Sequence, residues 1–409
     1  MARNQILGLD VGTETIRAVV AEPSAKSRTL VLRGGVSRPA KGFRRGVIVD
    51  AREALESLSG VLAEIGRDFK PALRNIYLGV NGTGVKMQSS RGIIAVSHAN
   101  SEIYRDDVNR VIQASEAVTL PANRMLIHTL TKEFIVDGVG EVSDPLGMTG
   151  SRLEVVSFLI DAFEPAVKNL VKCVEAAKGS VSCLIFSPLA SALAVLTKSQ
   201  RELGVLLIDI GYQTTGLAVY EENKLIHAKV LGVGGGHVTS DLAVALKIPV
   251  EAAEKIKLEY GYASARDLSA KETIDLKKIS PELKGAPSRK FVAEVIESRL
   301  SEICDLINDE LKSIGRLNHL PGGAQLTGGG AKLPGLQDLF RTDLKLSVGM
   351  GLAQPSSFEA ISSAVSRYLE DPEYAAVLGL ILWSQELPKG DSPKIAGGFL
   401  KKALKTFLP

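Results

Sequence analysis

The chain has 409 residues, 45% of them hydrophobic and 23% charged, a balance that fits two or three globular domains with cores of their own. Its 49 Lys+Arg against 46 Asp+Glu leave a net charge of +3, so no broad basic field argues for a nucleic-acid partner. The cysteines (Cys173, Cys183, Cys304) and five histidines show no metal-ligand or disulfide spacing, which fits a reducing compartment.

Asp10 arrives too early for the apolar core of a signal peptide. The longest apolar run, Ala375 to Trp383, is far short of the ~20 residues of a spanning helix. "ILGLDVGTETIRAVVAE" reads as strand, tight turn, strand: a β-branched run enters Asp10, Gly12 and Thr13 permit a turn, and apolar alternation resumes at Ile16. Such a turn exposes backbone N–H groups that can cradle phosphate oxygens, and threonine hydroxyls add donors. Gly12, Thr13, Glu14 and Thr15 are therefore candidate phosphate contacts. Asp10, at the strand end, is a candidate for a hydrated Mg²⁺, which prefers few carboxylates and several waters.

Further along, "IYRDDVNRVIQASEA" reads as a helix and "KEFIVDGVGEV" and "RLEVVSFLI" as strands, together a small strand-and-helix unit. In "FEPAVKNLVKCVEAA", apolar residues at 163, 166, 167, 170, 171 and 174 mark one buried helix face. "VLLIDIGYQTTGLAVYEENKLIHAKVL" then repeats the first hairpin. Asp209 aligns with Asp10 and Gly211 with Gly12, while Ala218-Val219 matches Ala18-Val19 after one inserted residue.

Either hairpin alone is equally a plain turn. The duplication points to two related halves facing a cleft. There Gly211, Tyr212, Gln213 and Thr214 would clamp a nucleoside triphosphate from the second side, with Asp209 as the second metal carboxylate. In "PVEAAEKIKLEYG", Glu254 and Lys257 share a helix face, placed either for ribose hydroxyls or for a surface ion pair. The charged stretch "SARDLSAKETIDLKKISPELKGAPSRK" reads mostly as solvated surface before a long amphipathic helix.

"GGAQLTGGGAKLPGLQDLF" reads as a strand, a glycine loop and a helix with proline near its start. Gly328, Gly329, Gly330, Ala331 and Lys332 offer a flat backbone surface for an adenine. "SQELPKGDSPK" reads as a linker. Beyond it, Ile395, Phe399, Leu400, Ala403, Leu404, Phe407 and Leu408 recur at three- and four-residue spacing, with Lys401, Lys402 and Lys405 on the other side. That is the composition of a helix lying in an anionic membrane surface, where each lysine adds ~1 kcal/mol. A tail packed back on the protein would need no such linker; a peptide for another protein is the remaining alternative.

Two Asp-Gly hairpins followed by a GGG loop resemble the actin/Hsp70/sugar-kinase superfamily. "MLIHTLTKEFIVDGVGEVSDPLGMTGSRLE" resembles the characteristic segment of the bacterial cell-division FtsA family, as do "SPLASALAVLTKSQRELGVLLIDIG", "GGGHVTSDLAVAL" and "EDPEYAAVLGLIL". The resemblance covers essentially the whole chain. It implies an α/β actin-like ATPase fold of two duplicated halves around a nucleotide cleft, with an inserted subdomain 1C in place of actin 1B. Residues 1–80 and 163–199 would form subdomain 1A, 81–162 1C, 200–261 and 324–356 2A, and 262–323 2B. Residues 357–383 would be the closing helix of 1A, 384–394 a linker and 395–409 a membrane-targeting helix.

It further implies ATP with Mg²⁺ as ligand and head-to-tail filaments of the chain itself. The C-terminal peptide of the tubulin-like FtsZ would dock on 2B, and later division proteins on 1C. The location would be peripheral, on the cytoplasmic face of the cell membrane at the division site. The second hairpin departs from the relatives' DIGGGTTD: Tyr212 and Gln213 stand where glycines are usual, and Gly216 replaces a carboxylate. Ser187 lies where actin relatives place a polar helper, but no catalytic residue is assigned, so ATP hydrolysis is expected to be slow at most. A small-molecule kinase of the same superfamily would need a general base that the sequence does not identify. A PilM-like type IV pilus adaptor would share the inserted subdomain but lack the tail.

Overall fold

The computed structural model describes residues 5–386 except 26, 99, 119 and 267. The tail helix expected at 395–409, and the linker from 387 onward, lie outside the described residues. By its internal packing the chain divides into residues 84–169 and a larger unit formed by 1–83 with 170–409.

Among the described residues of the larger unit, two sheets are built to one plan, beside a two-stranded ribbon of Phe43–Arg44 and Val47–Ile48. The six-stranded sheet runs Val181–Phe186, Ile76–Val80, Ile6–Val11, Thr15–Pro23, Leu30–Pro39, Phe358–Ala360. The five-stranded sheet runs Lys224–Leu231, Thr215–Glu221, Val205–Ile210, Ala324–Thr327, Val348–Met350. In each, the first strand of an Asp-Gly hairpin pairs antiparallel with its partner and parallel with a later strand. Leu7, Leu9, Leu206 and Ile208 on these central strands are fully buried, as strands covered on both faces require.

The hairpin registers correct one sequence alignment. Leu9 pairs with Ala18 and Asp10 with Arg17; likewise Ile208 pairs with Leu217 and Asp209 with Gly216. The hairpins correspond with no inserted residue, and Ala18 answers to Leu217 rather than to Ala218. Both turns close over the same span, Gly12 N–H donating to Thr15 O (3.1 Å) and Gly211 N–H to Thr214 O (2.8 Å). A one-residue slip would turn every side chain to the opposite face.

The helices Ser187–Val195 and Ala375–Glu386 pack on each other and are apolar nearly all round, the pattern of a helix with no solvent face. The single closing helix expected at 357–383 is instead the strand Phe358–Ala360, the helix Ser363–Glu370, a 3₁₀ turn Pro372–Tyr374 and the helix Ala375–Glu386. Pro372 has no N–H to continue the first helix and biases Asp371 toward extended backbone. Residues 384–386, assigned to the linker, end the last helix. The long helix Arg289–Ser313 buries Val292, Ile296, Leu300, Ile303 and Ile307. Ile274, Leu276 and Ile279 join the same core, so the charged stretch before it is anchored rather than wholly solvated.

Residues 84–169 form an antiparallel sheet, Lys86–Ala95, Arg152–Phe163, Arg124–Val136, Val139–Val142, with the helix Arg105–Glu116 packed against it. Val108 and Val111 of that helix meet Phe134, Val136, Leu153 and Val155 of the sheet. Phe163, expected on a buried helix face, ends a strand instead; strand alternation buries Ala162 and leaves Phe163 46% exposed. Among the described residues, no helix is long and apolar enough to cross a membrane.

Candidate functional site

A cleft in the larger unit, holding about 1400 Å³ of open space with its solvent mouth, gathers most of the residues singled out from sequence. Asp10, Gly12, Thr13, Glu14 and Thr15 line it from the first hairpin, and Asp209, Gly211, Tyr212 and Thr214 from the second. Glu254, Lys257, Gly328, Gly329, Gly330 and Lys332 complete that set. Two candidates fall outside it. The Gln213 side chain turns away to accept the Arg45 N–H (3.0 Å), and Ala331 packs into the core, 1% exposed.

The floor is electrostatically loaded. Burial pushes the Asp10 carboxyl up to about 6, opposed by the Arg17 charge and reinforced by Asp209. Asp209 is pushed up by burial as well, relieved in part by the Ser191 hydroxyl, which donates to Oδ2 (2.7 Å), and by Arg17. Ser187, one helical turn before Ser191, keeps a buried Oγ without a hydrogen-bond partner beside the cleft. Glu14 at the rim is raised by desolvation and by Glu254, with Lys257 opposing.

The second turn is sewn to a helix start. Gly235 N–H donates to Gly211 O (2.9 Å) and Gly236 N–H to Tyr212 O (2.6 Å), which sets the N-terminus of Gly235–Leu246 at the cleft wall. With those N–H groups engaged, what this helix start turns toward an anion is the positive end of its dipole. Lys257 Nζ reaches Glu254 Oε2 (2.7 Å), Thr239 Oγ1 (2.9 Å) and Gly235 O (3.2 Å). The ion pair read from sequence does form, and both its members line the cleft.

The glycine loop arrives from the strand Ala324–Thr327. Gly328 has φ +81°, and a Cβ there would fall 2.4 Å from Asp209 Oδ1, so only glycine lets the loop close over that carboxylate. Pro372 O accepts from Gly328 N–H (3.0 Å) and from the Thr327 hydroxyl (2.8 Å). Lys332 pairs with Asp371 (3.1 Å) and Glu373 (3.3 Å). Val238, Leu258, Leu300, Leu333 and Pro334 give the cleft apolar lining beside these polar groups.

Sequence reasoning missed Arg17, Asn81 and Glu373, which also line the cleft. Strand alternation could have found Arg17, because it stands directly opposite Asp10. Glu373 had no local signal; the fold brings it from the far end of the chain to Arg17.

Solved structures place this architecture. The PilM-PilN type IV pilus biogenesis complex matches with a TM-score of 0.65 at 19% identity, over 94% of this chain and 99% of that one. MreB5 of Spiroplasma citri bound to AMPPNP matches with a TM-score of 0.55 at 16% identity, over 100% of both chains. The fold is that of the actin-like ATPases, with an inserted unit. Residues 206–379 match the family described as cell division protein FtsA, and residues 82–160 the SHS2 domain inserted in FtsA. The cell division protein FtsA of Bacillus subtilis (strain 168) is 34% identical over 382 residues, 93% of this chain and 84% of the relative. The chain belongs to the FtsA family of cell-division proteins.

Proposed function

We propose that the chain binds ATP in this cleft, assembles head to tail into filaments, and tethers the tubulin-like FtsZ to the cytoplasmic membrane surface through its C-terminal tail. One observation carries the reading: two equivalent Asp-Gly hairpins present their turns and their half-buried carboxylates to a single cleft. The turns would cradle phosphates, aided by the dipole of the adjoining helix start, and the glycine loop at 328–332 would take the adenine. Lys257 and Glu254 would stand near the ribose.

Asp10 and Asp209 suit Mg²⁺ held largely through water, since two carboxylates destabilised by burial gain from a dication and few protein ligands are needed. The ion would supply charge neutralisation at the phosphates. The proposed division of the chain follows the family plan, with 1C at about 81–162 receiving later division proteins and 2B at about 262–323 receiving the FtsZ C-terminal peptide.

Vesicle co-sedimentation tests the whole reading. Full-length chain with ATP should pellet with anionic phospholipid vesicles and carry FtsZ with it, and removal of residues 395–409 should abolish both. Lipid binding by the truncated chain, or FtsZ pelleting without the full chain's help, would sink the proposal.

A further inference from the structure

We propose that the ribbon of Phe43–Arg44 and Val47–Ile48 is a clasp on the second phosphate turn, and that Gln213 is the positioning residue through which it acts; this rests on the nucleotide reading of the cleft. The ribbon belongs to the first half of the chain, following the strand Leu30–Pro39. Phe43 is buried, and the N–H groups of Val49 and Asp50 both donate to Gly42 O (2.8 and 3.1 Å), which closes the ribbon's base. Its tip is wedged. A Cβ on Gly46, at φ +78°, would fall 1.3 Å from Asn81 O, so only glycine lets the turn lie on that backbone. Arg45 beside it takes φ +48°, a left-handed conformation uncommon for a residue with a side chain.

What this tip delivers is one backbone donor. Arg45 N–H donates to Gln213 Oε1 (3.0 Å), a bond that crosses from the first half to the second. Beside it, Asn81 Nδ2 stands 3.5 Å from Thr214 Oγ1. Gly46 and Asn81 line the cleft, as do Tyr212 and Thr214 on either side of Gln213. Gln213 therefore holds the turn from behind while its two neighbours face the ligand space. The duplication supplies an internal contrast. Both turns close over the same span, so Glu14 is the counterpart of Gln213, and Glu14 lines the cleft. The first turn sends that side chain inward where the second sends it out to the ribbon.

The bond ties a ligand gripped by the second turn to the first half as well. For that ligand to leave, the halves must part and the Arg45–Gln213 bond must break. Entry into an already open cleft does not require it. The clasp therefore acts on release, the step in which most differences of affinity between variants of one site are found.

Stopped-flow release of a fluorescent ATP analogue from the full chain in Mg²⁺, chased with excess ATP, tests this. Gln213→Met has similar length but no acceptor. It should speed release about three- to ten-fold, the worth of one lost hydrogen bond, and leave association near wild type. Gln213→Glu keeps an acceptor for Arg45 N–H and should release as wild type does, its added charge acting on association. Gly46→Ala, which drives the tip off Asn81, should match Gln213→Met. The double variant should be no faster than either single one, because both remove the same bond. Wild-type release from folded Gln213→Met, equally fast release from Gln213→Glu and Gln213→Met, or effects that add in the double variant would overturn the clasp. If Gly46→Ala does not fold, Gln213→Met and Gln213→Glu decide alone. If wild type shows no saturable binding of the analogue, the nucleotide reading fails and the clasp with it, a distinct result from the others.

Discussion

Asp10 illustrates what the cleft costs the fold. Its carboxyl is raised from 3.8 to about 6, so the folded chain holds that proton more tightly than the unfolded chain does. The stability that protonated Asp10 contributes is fully present below 3.8 and is lost as pH rises through about 6. At neutral pH the ionised form therefore destabilises the ligand-free protein by about 3 kcal/mol, at ~1.4 kcal/mol per pH unit. Asp10→Asn should raise the melting temperature of the ligand-free chain at pH 7 by several degrees in calorimetry. That gain should fade as pH is lowered through 6 toward 3.8. The same variant should lose Mg²⁺-dependent ATP affinity. A variant less stable than wild type at pH 7 would show that Asp10 is a structural partner instead. Arg17 and Asp209 share this balance, so the pH dependence belongs to the group rather than to Asp10 alone.

The elements differ in how much their sequence reveals. Both hairpins were legible because strand alternation and an Asp-x-Gly turn are local signals. Their exact correspondence was not, because the Ala-Val pairs of the two copies coincide one position out of register. Tyr212 and Gln213 read alike as turn residues, yet one faces the cleft and the other turns to Arg45, a difference set by tertiary contacts. The break at Asp371-Pro372 was legible in principle from the proline. Its consequence, a carbonyl shared by Thr327 and Gly328 and a glutamate delivered to Arg17, depends on residues distant in sequence. The glycine loop gives a prediction at this scale. Gly328→Ala meets Asp209 Oδ1 and holds alanine at φ 81°, ψ 173°, a conformation that costs an L-residue ~1–3 kcal/mol. ATP affinity should fall while circular dichroism still reports a folded chain; unchanged affinity would mean that the loop's close approach to Asp209 does not shape the nucleotide site.

At the scale of the whole molecule, the proposed function would couple the cleft to the tail through avidity. Residues 395–409 hold few apolar side chains, and a single small lipid anchor binds a bilayer with K of order 10⁴ M⁻¹. Linking several such anchors raises avidity by ~10²–10⁴ without new contacts, and the proposed head-to-tail filament would supply the linkage. On this account nucleotide in the cleft favours assembly, and only the assembled chain holds the membrane firmly. Every part of the account depends on the cleft being a nucleotide site. The decisive measurement is isothermal titration of the full chain with ATP in Mg²⁺, beside the double variant Asp10→Asn, Asp209→Asn. One saturable site in wild type, lost in the folded double variant, is the predicted result. No saturable binding in wild type, or undiminished binding in the double variant, would contradict it.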